Sequence, residues 1–153
     1  MDAAVAPALY GFQQTREDLA RHTAGLSAAQ VWARPHGLAP LGFHLRHIAR
    51  SVDRLTTYLE GRSLNASQMA ALAAEMEAGA GLEELMAEIH GALRRAEEVI
   101  RGIEPAIFNE PRWVGRRRLP TTVMGLVVHI AEHTQRHVGQ AIAAAQLARG
   151  WGI

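Results

Sequence analysis

Cysteine is absent from this chain of 153 residues. Disulfides, thiolate zinc sites and a cysteine nucleophile are thereby excluded, and any thiol chemistry needs a thiol from elsewhere. Lysine is absent too: all 16 basic residues are arginine, which we read as genomic base composition rather than chemistry. Charge of one sign is lacking, the formal balance being +1, and so small a field draws in neither nucleic acid nor an anionic membrane. No apolar run approaches a membrane span in length. The opening residues, MDAAVAPALYGF, lack the basic start of a secretory signal. A soluble, cytoplasmic protein with no nucleic-acid or membrane partner is expected.

What the chain does have is histidine in register. Five of its eight histidines fall in two short stretches. His129, His133 and His137 stand one helical turn apart in HIAEHTQRHVGQ, residues 129–140, and residues four apart share a helix face. His44 and His47 lie far upstream in LGFHLRHIARSVDRL, residues 41–55.

Apolar periodicity puts both stretches on helices. Residues 5–21 carry Val5, Leu9, Phe12 and Leu19 at near-helical spacing, and Gly25 ends that helix. Ser27 is placed to cap a short turn before Arg34 and Pro35 break it. After Pro40 a second helix has the stripe Leu41, Leu45, Ile48, Val52, Leu55 and Leu59, and Gly61 stops it. His44 projects beside this stripe and His47 further round the same flank.

Residues 62–81 read as a linker, their Gly-rich end outweighing Ala, Met and Glu content that suits a short helix. The segment is long enough to carry the chain from one end of a bundle to the other. A third helix covers residues 82–101, with Leu85, Ile89 and Leu93 on its apolar side. Residues 102–120 form a second loop holding Trp113 and the run Arg116, Arg117 and Arg118. That run reads as a solvated basic loop in preference to a grip on an anionic co-substrate. Thr121 is expected to cap the fourth helix, whose stripe includes Val123, Leu126, Ile130, Thr134 and Val138. Four amphipathic helices without a convincing strand pattern give an all-α fold. The expectation is one domain over residues 1–153, an antiparallel four-helix bundle with a long connection between helices two and three.

Neutral imidazole is the commonest metal-ligand side chain at neutral pH. One histidine on a helix face is usually structural, but three in register with a second helical pair elsewhere favour a metal site. His129 and His137 lie ~12 Å apart along the axis, too far to share an ion whose bonds to nitrogen are about 2.0–2.1 Å. The pair is therefore 129/133 or 133/137, with His133 common to both. A third imidazole from the second helix completes the set and leaves one coordination position open; spacing does not choose between His44 and His47. No general base is evident. Glu132 projects away from the stripe and Asp53 lies on the other flank from His47, so both read as solvated and no catalytic side chain is assigned.

The segments PLGFHLRHIA at 40–49 and TTVMGLVVHIAEHTQRHVGQ at 121–140, with the turn SAAQVWARP at 27–35, resemble the DinB-like (damage-inducible) superfamily of bacterial metal-binding four-helix bundles. With the order of helices, the likeness covers nearly the whole chain. It implies that His47, His133 and His137 bind a divalent metal ion, zinc or nickel, and that His129 is an extra histidine beside the site. It also implies a homodimer and, as in some members, a low-molecular-weight thiol as co-substrate. The reading that follows is a metal-dependent thiol S-transferase or hydrolase acting on a small-molecule substrate. One competing reading is a non-catalytic metal-binding stress-response module in which the ion staples the helices. The other is a plain dimerising bundle with incidental histidines.

Overall fold

Four long apolar stripes at helical spacing need one another for cover, and they dictate the architecture. A computed structural model describes residues 2–150. Helices α1 (Ala6–Thr23), α3 (Leu41–Leu59), α5 (Leu82–Arg101) and α6 (Val123–Ala148) form the bundle. Two short helices, α2 (Ala28–Trp32) and α4 (Ala66–Ala73), lie within connections, and an antiparallel hairpin of β1 (Pro111–Val114) and β2 (Leu119–Thr122) precedes α6. The stripes expected for α1, α3 and α6 are buried throughout, from Val5 to Leu19, Leu41 to Leu59 and Val123 to Ala141. None of the helices among the described residues is long and apolar enough to cross a membrane.

Side-chain contacts fix the directions. His47 meets His133 while Arg112, just before α6, bonds the Leu59 carbonyl at the end of α3; α3 and α6 are antiparallel. Arg50 pairs with Glu88 and Asp53 with Arg95, so α3 and α5 are neighbours running the same way. Parallel neighbours need a return connection along the bundle, which residues 62–81 provide.

That connection is more ordered than a linker. Asn65 and Gln68 each accept a hydrogen bond from the other's backbone N–H, a reciprocal box that starts α4. At its far end the last carbonyls of a helix need donors, and α3 supplies them from one face. Arg50 donates to the Ala71 carbonyl, and Arg46 donates to the carbonyls of Ala74 and Glu77. The second connection also departs from expectation. Residues 111–122 pair as a hairpin, with Arg112 opposite Thr121. Thr121 is thereby held in the strand, and Thr122 caps α6 instead, its Oγ1 accepting from Gly125 N–H at 3.0 Å.

At Gly42 the first connection lies close against α3. A Cβ there would lie 2.7 Å from atoms of the Trp32 ring. The ring is held by its indole N–H, which donates to the Ala80 carbonyl at 2.8 Å, and by the Arg46 guanidinium 5.0 Å above it. Alanine gains about 1 kcal/mol of helix propensity over glycine, whereas overpacking costs about 1–3 kcal/mol. Gly42→Ala is expected to be destabilising by about 1 kcal/mol, seen as a lower midpoint in urea; a raised midpoint would show that the ring yields freely.

Candidate metal centre

Because α3 and α6 run antiparallel, the faces carrying residues 44–47 and 133–137 meet in register. His47, His133 and His137 each bring a ring nitrogen within 4.8 Å of the others, a group able to hold a metal ion. The ring of His47 lies 4.2 Å from that of His137 and 5.3 Å from that of His133, and the last two are 4.6 Å apart. His44 stays outside the group, its ring 6.2 Å from that of His137. His129 does too: its Nδ1 meets Glu132 Oε1 at 2.7 Å.

Burial first, then the Coulombic influence of His47 and of the neighbouring imidazoles, pushes His133 and His137 down to about 4. Burial and His47 lower His44 in the same sense. At neutral pH His133 and His137 are therefore unprotonated, the form in which imidazole offers a lone pair to a cation. The Nδ1 atoms of both are buried and have no hydrogen-bond partner among the described residues. A buried polar atom left alone is costly. Two uncharged imidazoles with unpartnered nitrogens, joined by the ring of His47, fit a divalent ion.

Periodicity gave no sign of Glu75. It lies on the connection after α4, only 4% exposed. Its Oε2 accepts from His47 Nδ1–H at 2.7 Å and its Oε1 from Arg54 at 2.7 Å. Burial works to raise its pKa, but the hydrogen bonds from His47 and Arg54, with the Arg54 charge, outweigh that and hold it below the usual glutamate value. An ionised carboxylate only accepts, so His47 donates to it from Nδ1, and in the neutral ring Nε2 is then the nitrogen left free, the arrangement that orients histidine ligands. One trace of this was legible: Arg46, Arg50 and Arg54 recur every four residues on α3, a cationic stripe that calls for partners.

The expectation for the two candidate acids and the basic loop is met in part. Asp53 is engaged by Arg95 and Gln68, and the exposed Glu132 bonds His129 and Arg136, so neither acid joins the imidazole group. Arg118 stacks on Trp113 at 5.1 Å. Arg116 is exposed, as the solvated-loop reading expects, and it also lines a cavity of about 460 Å³ shared with His47 and His133.

Comparison with known proteins places this geometry in context. The profile of the DinB superfamily matches residues 11–141. A solved structure, a conserved protein from Enterococcus faecalis, is similar with a TM-score of 0.80 and 16% identity, covering 98% of this chain and 99% of that one. At that identity the likeness is one of fold. A search of curated proteins finds no match.

Two outcomes follow from the electrostatics. Glu75→Ala strands the Arg54 guanidinium, whose side chain is 12% exposed, and is expected to cost about 3 kcal/mol in denaturant unfolding; a loss under about 0.5 kcal/mol would class the pair with weak surface bridges. The second concerns acid. His133 and His137 take up protons near 6.5 when unfolded but only near 4 when folded, so the unfolded chain holds more protons between those values. Stability of metal-free protein in EDTA therefore falls as pH drops through that window, with the lowered Glu75 adding to the loss at its acid end. Melting curves should show this fall, and His137→Gln should flatten it.

Proposed function

This chain belongs to the DinB superfamily, and from that premise we propose that it is a divalent-metal enzyme in which His47, His133 and His137 hold the ion. The reaction class is thiol S-transfer or hydrolysis on a small molecule. One observation supports the reading above all: nitrogens of three imidazoles from two distant segments lie within 4.8 Å of one another. Held by these three imidazoles, a zinc or nickel ion would supply Lewis acidity.

The chain's own residues do the rest. Glu75 holds the His47 proton on Nδ1 and fixes the ring plane. Arg54 keeps Glu75 ionised, so the site does not gain a protonated acid in place of an acceptor. With no cysteine in the chain, a thiol for S-transfer comes from a co-substrate. The cavity beside His47 and His133 favours turnover over a purely structural ion, since a staple needs no space next to it. The homodimer implied by the family resemblance is proposed with this reading.

Elemental analysis of untagged protein should find about one divalent ion per chain. His133→Ala should lose it, and Glu75→Gln should weaken metal affinity about 10–100-fold in chelator competition. A thiol added to the cobalt-substituted protein should perturb its visible spectrum. Metal content unchanged in His133→Ala would overturn the assignment.

A further inference from the structure

The cavity that adjoins the imidazoles carries chemistry of its own. It lies between α3, the 62–81 crossover and the tip of the hairpin, and no aspartate or glutamate lines it. Its charged walls are Arg54 and Arg116, with His47, His129 and His133 along one side. Its apolar wall is built from Leu55, Leu64, Met69 and Leu72 with the Tyr58 ring.

The two arginines are not equivalent. Arg54 is taken by Glu75 at 2.7 Å. Arg116 has no ion pair or hydrogen bond among the described residues and stands exposed at the hairpin tip. In the same cavity, Met69 and Leu72 remain 37% and 40% exposed although apolar. A free guanidinium matches a carboxylate in planar, two-point fashion, and uncovered apolar side chains gain from burial under a ligand's hydrocarbon part. Cavities of roughly 300–1,000 Å³ suit small organic ligands, and this one is within that range at about 460 Å³.

We propose that this cavity binds a small amphipathic organic carboxylate. The carboxylate sits on Arg116 and the apolar body lies along Leu64, Met69 and Leu72, which brings the remainder of the molecule beside His47 and His133. The inference names a substrate class for the metal-dependent reading and rests on that reading for turnover; binding itself uses only side chains of this chain.

Sodium octanoate is the probe, with 1-octanol and octylammonium as head-group controls, titrated by calorimetry into metal-loaded and EDTA-treated protein. Octanoate is expected to bind both forms, and each control at least about tenfold more weakly. Arg116→Glu should lower octanoate affinity about tenfold or more. Arg117→Glu makes the same charge change one residue along, outside the cavity, and should alter affinity less than about twofold. Leu72→Glu, at a position exposed enough to tolerate charge, should abolish binding. Equal binding of octanol, indifference to Arg116→Glu, or loss of octanoate binding in EDTA would each overturn the inference. Octanoate bound with the stated Arg116 dependence by a protein that takes up no metal sinks the metal reading alone; metal bound without octanoate sinks this one alone.

Discussion

The carboxylate of Glu75, held between Arg54 and His47, is the contact on which the arrangement of this protein turns. It joins a guanidinium that cannot lose its proton to an imidazole that must present one free nitrogen. Left alone, a carboxylate so deeply buried would be protonated or expelled; paired on both oxygens, it stays charged and sets the tautomer of His47. His133 and His137 then meet it as uncharged rings rather than as mutually repelling cations.

The path to that contact is a chain of backbone requirements. Parallel packing of α3 against α5 demands a long return connection. A long connection buries polar backbone unless donors are found for it. Arg46 and Arg50 provide donors where α4 ends, and Arg54, one further turn along α3, receives Glu75 on the same strap. One face of α3 thus covers the core, a second presents His47, and a third carries three arginines that hold the crossover in place.

Much of this was legible in the residues. Helical stripes announce themselves through a 3.6-residue period, so α1, α3, α5 and α6 were readable, as was the alignment of His133 with His137. The choice between His44 and His47 was not in the spacing, because both lie on one flank and the way α6 packs on α3 separates them. The family resemblance pointed to His47, the ring that stands with the α6 pair. Glu75 escaped because its partner sets depend on how residues 62–81 return, a tertiary fact without a local period. The hairpin escaped for a different reason: strands of four residues containing Pro111 and Pro120 offer too little alternation to register. With the hairpin went the reach of Arg116, which no loop of unspecified shape could place.

The crossover has one more implication. Helix α4 buries none of its own eight residues, and its hold on the bundle comes through polar contacts rather than apolar cover. Segments of that kind open at a small fraction of the free energy that unfolds a core. Glu75, two residues beyond α4 and paired on both oxygens, is the point at which this crossover is pinned to α3. Under the metal-dependent reading proposed above, an ion at these imidazoles would not have to wait for global unfolding in order to exchange.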